Sequence, residues 1–293
     1  MRKRKILVAP LAAALLAVSA TLAWADAGEL RARHGELRDQ LRHNGYQRPL
    51  HIESTEGADT LKGDVHAVLD HPFSTVSEVL KNPANWCDIL ILPFNTKYCH
   101  AVQGAQGPAL MVRIGRKYDQ PVEQAYRIDF AFRNVAAKQG YFESQLTAPS
   151  GPVGTRDYRI VVSAVPLEGG KTFMHLSYSY GFGTMGRMAM QAYLATAGAD
   201  KVGFSMAGRD AGGQPQLTGG MRGAVERNAM RYYLAIDAYL DSLSAPAQQQ
   251  VEQRIQNWFS ATERYPRQLR EMDRTTYVTM KRQEYERQQV VMR

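Results

Sequence analysis

Between residues 95 and 182 the chain is a succession of short segments whose links are too brief for anything but a turn. The segments lie around 95–103, 109–117, 122–135, 139–148, 155–165 and 171–182, with links such as Gln106-Gly107-Pro108 and Glu168-Gly169-Gly170. Parallel pairing needs a crossover of about a dozen residues or more, so successive segments must pair antiparallel. Their polarity alternates. Tyr126, Ile128, Phe130 and Phe132 share one face against Arg127, Asp129 and Arg133. Met174, Leu176, Tyr178, Tyr180 and Phe182 share a face against His175, Ser177 and Ser179. This period of two predicts a sheet with one apolar and one wet side.

One long amphipathic helix follows, GGMRGAVERNAMRYYLAIDAYLDSL. Met221, Val225, Ala229, Tyr232, Ile236, Leu240 and Leu243 recur in steps of three and four, a single buried stripe. One greasy sheet face and one greasy helix stripe bury each other if the sheet curves around the helix. The fold class is therefore α+β, a curved antiparallel sheet gripping a long C-terminal helix. The domain runs from 60 to 243. It opens with a strand in which Val65, Ala67 and Leu69 alternate with Asp64, His66 and Asp70. Two short helical pieces follow, PFSTVSEVLKN and PANWCDILIL. Residues 26–59 form a helical N-terminal arm with a narrow stripe of Leu30, Leu37 and Leu41, too polar to bury itself and so peripheral. Residues 244–293 form a helical tail with Val251, Ile255, Trp258 and Phe259 on one face. A weaker helical pattern over 267–290 carries Leu269, Met272 and Met280.

The first 25 residues have the form of an export signal. Arg2 to Lys5 precede an apolar run, and Ala23-Trp24-Ala25 fits the small-x-small cleavage rule. Cleavage predicts a periplasmic or secreted protein; an uncleaved anchor is the alternative, though Pro10, Ser19 and Thr21 interrupt the run. The formal net charge of +8 loses half its value with those four residues. The mildly basic remainder carries no dense Lys/Arg patch with interleaved aromatics, which argues against nucleic acid as a partner. Outside the cytoplasm, Cys87 and Cys99 are expected to pair, with two buried free thiols as the alternative. Two thiols at this spacing lack the further ligands of a metal site.

Gly181, Gly183 and Gly186 satisfy G-x-G-x-x-G, yet the preceding strand alternates and no convincing strand follows before the long helix. A dinucleotide cradle needs a doubly buried strand and a parallel partner carrying an acid. The glycines are better read as letting the chain leave the sheet sharply. The insertion at 183–216 then runs through Met185, Met188, Met190, Tyr193 and Leu194 into a glycine-rich stretch. Adaptable methionines between glycines suit a lid over a cavity mouth; extra core packing is the equal alternative.

The stretches KGDVHAVLDHPFSTVSEVLKNPANWCDIL and RGAVERNAMRYYLAIDAYLDSL, with the strand run between them, resemble the START/SRPBCC-like superfamily (helix-grip, Bet v 1-like), as an exported bacterial-type member. The likeness spans roughly 60–243. The signal segment, the insertion and the helical tail depart from small members. The resemblance implies an elongated cavity between the concave sheet and the closing helix. Members bind lipids, sterols or other apolar molecules there, and some carry out cyclase or hydrolase-like chemistry.

No G-x-S-x-G, H-E-x-x-H or paired-carboxylate motif is present in the sequence. His66 and His175 are expected on a solvated face, and Glu226-Arg227 and Arg156-Asp157 as surface or intrahelix pairs. The expected function is binding and carriage of a hydrophobic ligand, lipid or sterol-like, through the cell envelope. No catalytic residue, metal or cofactor is assigned, and the expected partner is a hydrophobic small molecule or lipid, with transient contact to a membrane or envelope protein allowed. Candidate cavity residues are Tyr126, Ile128, Phe130, Leu176, Tyr178 and Tyr180 on strands, and Tyr232 and Ile236 on the helix. Met188 and Met190 are candidate gates. His100 is a cavity candidate, and Arg113 would hold a ligand carboxylate or phosphate if it points inward, although Leu110, Val112 and Ile114 are the better inward set. An enzyme of the same fold is one alternative. A solid interaction module using Trp258 and Phe259 as its contact surface is another.

Overall fold

The computed structural model describes residues 26–196, 198–210 and 212–290; the expected export signal at 1–25 lies outside the described residues. Among those residues, no helix is long and apolar enough to cross a membrane.

Eight strands make one antiparallel sheet. They are β1 (Leu50–Glu56), β2 (Thr60–Leu69), β3 (Thr96–Gly104), β4 (Gly107–Ile114), β5 (Tyr126–Lys138), β6 (Tyr141–Ser150), β7 (Thr155–Pro166) and β8 (Thr172–Phe182), in the order β1-β2-β8-β7-β6-β5-β4-β3. The short links explain the pairing. Between β5 and β6 only Gln139 and Gly140 intervene, and Gly140 takes a positive φ of 90° that a side chain would resist. The sheet begins earlier than expected. Residues 50–56, assigned from the sequence to the arm, pair with β2 from Leu50↔Ala67 to Glu56↔Leu61.

The helices, counted from the N-terminus, are α1 (26–36), α2 (Arg38–Arg42), α3 (Phe73–Leu80), α4 (Pro83–Leu90), α5 (Thr184–Ala195), α6 (Gly220–Ser242), α7 (Ala247–Glu263), α8 (Pro266–Leu269) and α9 (Arg274–Gln288). Helices α3 and α4 carry the chain from β2 to β3 at the far edge. Cys87 in α4 is bridged to Cys99 in β3, with their Cα atoms 5.1 Å apart. The long helix α6 lies along the concave face. Gly63 on β2 permits this approach, since a Cβ there would sit 3.1 Å from the Val225 carbonyl oxygen. The result is the helix-grip arrangement.

Three expectations need correction. First, α6 is buried on nearly every side rather than along one stripe. The tail covers it: the Trp258 indole N–H donates to the Arg231 carbonyl at 3.1 Å, and Phe94, Trp258 and Tyr277 form an aromatic cluster. Trp258 and Phe259 are thus core residues and not a contact surface. Second, the outer face of the sheet is not uniformly wet. Leu30, Leu37 and Leu41 of the arm pack on Val165, Phe173, Ala136 and Tyr141 in a second core. Outward Phe173 within β8 is the signal for this, because an apolar residue on a wet face needs a cover. Third, the insertion contains a small antiparallel hairpin, β9 (Met206–Arg209) with β10 (Pro215–Leu217), where no strand was expected.

The glycines after β8 work by closeness and not by left-handed geometry. None of Gly181, Gly183 and Gly186 has a positive φ. Gly186 is buried where a Cβ would stand 3.0 Å from Cβ of Phe182, so α5 lies tight against the strand it leaves.

Candidate functional site

A cavity of about 300 Å³ remains between the concave sheet and the helices α5 and α6. The alternation of the strands sends every second side chain into it: Val112 and Ile114 from β4, Ile128 and Phe130 from β5, Tyr158 and Ile160 from β7, Tyr178 and Tyr180 from β8. Leu90, Asn95 and Thr96 close one end. Met190 and Tyr193, three residues apart on α5, and Asn228 and Tyr232, four apart on α6, close the helical side.

The wall is unusually phenolic. Tyr158 and Tyr180 stack at 5.4 Å, Tyr232 stands edge-on to Tyr178 at 5.2 Å, and Phe130 meets Tyr158 edge-on. Tyr158 donates to the Thr155 hydroxyl at 2.8 Å. Burial pushes the phenols of Tyr158, Tyr178, Tyr180 and Tyr232 upward, so they are neutral hydrogen-bonding groups. Tyr193 differs. Burial acts to raise it too, but Lys117 and Arg227 outweigh that and hold its phenol below the ordinary value. Lys117 Nζ lies 3.4 Å from the Tyr193 hydroxyl and 2.7 Å from Glu271, and Arg231 reaches the same Glu271 oxygen at 2.6 Å.

Of the residues singled out from the sequence, the structure brings Ile128, Phe130, Tyr178, Tyr180, Met190 and Tyr232 together on the cavity wall. It does not bring the others. Leu176 and Ile236 are fully buried in the packed core beyond the cavity. Tyr126, at the start of β5, is 56% exposed, and Met188 is on the outer side of α5 at 63%. His100 stacks over Tyr98 on the edge strand β3. Arg113 points away from the cavity and donates to the Ala125 carbonyl at 3.2 Å, as the inward Val112 and Ile114 require. Tyr158 has the same parity on β7 as Ile160, Val162 and Ala164, in unbroken register with β6, so strand alternation is the signal for it. The signal for Tyr193 was its spacing of three from Met190.

Two polar centres also differ from expectation. Glu226 is fully buried and is no surface partner of Arg227, itself buried. Its carboxylate accepts from the Ser54 hydroxyl (2.5 Å), the Phe204 and Ser205 backbone N–H groups (2.6 and 2.9 Å) and the Ser205 hydroxyl (2.5 Å). This clamps the start of the β9–β10 hairpin to α6 and β1. On the outer face, His66 is only 4% exposed and stacks on His175 with centroids 4.3 Å apart. His175 is half-buried and lies 2.8 Å from Asp64. Both sit under the arm, in a cleft lined also by Arg33, Glu36, Tyr141 and Glu143. Among the described residues, His71, Asp237 and Asp241 could converge on a cation, but His71 already meets Asp241 at 3.0 Å and Asp237 is paired with Arg48.

No family model matches the chain, and no curated protein matches it. Several solved structures are similar to it. Norcoclaurine synthase from Thalictrum flavum, in complex with dopamine and hydroxybenzaldehyde, is 15% identical over 51% of this chain and 88% of that one, with a TM-score of 0.33. Ara h 8.0201 is 9% identical over 67% of this chain and 99% of that one, at 0.36. A START superfamily protein from Mycobacterium smegmatis is 13% identical over 50% and 90%, at 0.31.

Proposed function

We propose that the protein binds a compact hydrophobic molecule in the cavity between the sheet and α5–α6, and carries it through the cell envelope. One observation carries this reading: side chains from five strands and three helices converge on the space without filling it. Natural cores pack to nearly crystalline density, so a space of this size between a sheet and its helices is room for a guest. Its volume lies at the lower end of the range for pockets that enclose a drug-sized ligand, roughly 300–1,000 Å³. That favours one ring-containing or single-chained molecule over a two-chained lipid. Ile128, Phe130, Tyr178, Tyr180, Met190 and Tyr232 are the proposed contacts. Each methylene they bury contributes about 0.8 kcal/mol, and the neutral phenols can accept or donate to a polar substituent.

Binding is favoured over chemistry by the lining, whose titratable members among the described residues are all tyrosines. General acid–base catalysis calls for a matched pair of groups within reach of the substrate. A filled interaction module is disfavoured by the void itself and by the burial of Trp258 and Phe259. The location in the envelope draws support from the Cys87–Cys99 bridge, a bond that persists in oxidising compartments.

The test is native mass spectrometry of the protein purified from its host, together with uptake of the neutral fluorophore N-phenyl-1-naphthylamine. A stoichiometric apolar adduct, saturable fluorescence and weaker uptake in Tyr178→Ala are expected. No adduct and no uptake would end the proposal.

A further inference from the structure

The helical end of the cavity differs from its sheet walls. Behind Tyr193 and Asn228, the side chains of Lys117, Arg227, Arg231 and Lys201 lie close enough to act on one another or on Tyr193, and Glu271 is the carboxylate that faces them. Lys117, Lys201 and Arg231 share that one acid, and Arg227 stands beside Arg231 and Tyr193. Lys117 and Arg231 both reach the same oxygen of Glu271, at 2.7 and 2.6 Å. Arg231 is nine-tenths buried, and its Nε has no hydrogen-bond partner among the described residues. Arg227 and Arg231 are buried and the two lysines half-buried, and positive charge held out of water is costly when nothing balances it.

The donors that reach the cavity are oriented by this cluster. Arg231 Nη1 donates to Asn228 Oδ1 at 3.3 Å, which turns the Asn228 amide NH₂ away from the guanidinium. That NH₂ has no partner among the described residues, and Asn228 lines the cavity. The Tyr193 hydroxyl, 3.4 Å from Lys117 Nζ, lines it too. Two neutral donors thus face the void, backed by cations and with no acid on the wall.

We propose that the cavity selects an apolar carboxylic acid, whose carboxylate sits at the α5–α6 end between the Tyr193 hydroxyl and the Asn228 amide, with its rings or chain along Tyr178, Tyr180 and Phe130. This rests on the binding function proposed above and specifies its ligand class. Two donors match two carboxylate oxygens. A phosphate would call for charged donors in direct contact, and the cations here stand one layer back. The bound anion supplies the charge that Glu271 alone does not.

The experiment displaces N-phenyl-1-naphthylamine at pH 7.5 with 2-naphthylacetic acid or with its primary amide, a near-isosteric neutral analogue. The acid is expected to compete at least about tenfold better, as charge-assisted hydrogen bonds exceed neutral ones. Tyr193→Phe and Asn228→Ala should each shrink the acid-to-amide ratio. Glu271→Gln, which removes the countercharge, should enlarge it, a change that mere loss of packing does not produce. If the fluorophore binds and acid and amide compete equally, the selectivity is wrong while the binding function stands. If the acid is preferred but Tyr193→Phe leaves the ratio unchanged, the anchor is misplaced. Failure of the fluorophore to bind at all overturns the binding function itself, and this inference with it. Should Glu271→Gln not fold, Tyr193→Phe decides.

Discussion

Glu226 and Phe204 are joined through the backbone: the Phe204 N–H donates to the Glu226 carboxylate at 2.6 Å, in a pocket closed to solvent. The neighbouring Ser205 N–H and hydroxyl and the Ser54 hydroxyl complete the shell. Gly203 is required beside it, since a Cβ there would stand 2.9 Å from the Gly223 Cα. One carboxylate therefore ties the hairpin of the insertion to both α6 and β1. Glu226→Ala should leave several buried donors unpaired, at about 1–3 kcal/mol for each that finds no water. Urea denaturation should show the loss, and hydrogen exchange should rise first over 203–218. Unchanged exchange there would mean that the hairpin is held by something else.

Acid should weaken the outer face. Burial, with His175 and Arg33 next in order, lowers the His66 imidazole from 6.5 to about 3. Between those values the unfolded chain takes a proton that the folded chain refuses, so stability falls as pH drops through that window. Asp64 adds a lower limb. Burial acts to raise it, but His175 and Lys62 outweigh that and leave it at about 2. Its contribution is present above 3.8 and is lost as pH falls through about 2. A tenfold change in proton affinity is worth about 1.4 kcal/mol, so His66 alone accounts for a few kcal/mol at most. In His66→Phe the decline between pH 6 and 4 should flatten, while the limb below pH 4 remains. A variant with the wild-type profile over pH 4–6 would exonerate His66.

The disulfide bears on the cavity as well as on stability. Leu90, Asn95 and Thr96 line the cavity from inside the loop that Cys87 and Cys99 close, 12 residues apart. Loop closure of this length contributes on the order of 3 kcal/mol. The Cys87→Ala/Cys99→Ala pair should therefore lose about that much in guanidinium denaturation and bind N-phenyl-1-naphthylamine more weakly. Full stability in the double variant would place the bridge outside the energetics of the fold.

Much of this architecture was legible because it depends on local rules. Alternation located the strands from β3 to β8, and short links dictated their pairing. The stripe from Met221 to Leu240 identified α6. What stayed hidden depends on non-local contact. Nothing in the sequence around Leu30 says that it will meet Phe173, yet that meeting converts a peripheral arm into the cover of the sheet. Glu226 and His66 read as solvated because the residue types are polar; their burial follows from partners far along the chain, Ser54 and Phe204 for one and Phe173 and His175 for the other. The cavity wall was half visible for the same reason. Ile128, Phe130, Tyr158, Tyr178 and Tyr180 follow from strand parity, whereas Tyr193 and Asn228 depend on how two helices pack over the sheet.

The tail is fastened by a charge arrangement that mutation can dissect. Lys97 on β3 and Lys281 and Glu284 on α9 are all buried, with Glu284 bound to Lys97 at 2.9 Å and to Lys281 at 2.6 Å. Carbonyl groups share the rest: Lys281 also donates to Pro93 and Thr96, and Lys97 to Phe94. The two ammonium groups have one acid between them. Burial, offset in part by Glu284 and reinforced by Lys97, lowers Lys281 to about 8. Removing Glu284 should then hurt most, because it strands two buried cations; breaking a buried ion pair costs roughly 3–5 kcal/mol. Lys281→Met leaves Lys97 and Glu284 as a balanced pair and should be tolerated far better. Equilibrium unfolding of Glu284→Gln, Lys281→Met and the double variant should rank the first as least stable, with the double variant partly rescued because one stranded cation is gone. If Lys281→Met proves as damaging as Glu284→Gln, the carbonyl contacts of Lys281, and not charge balance, are what hold α9 in place.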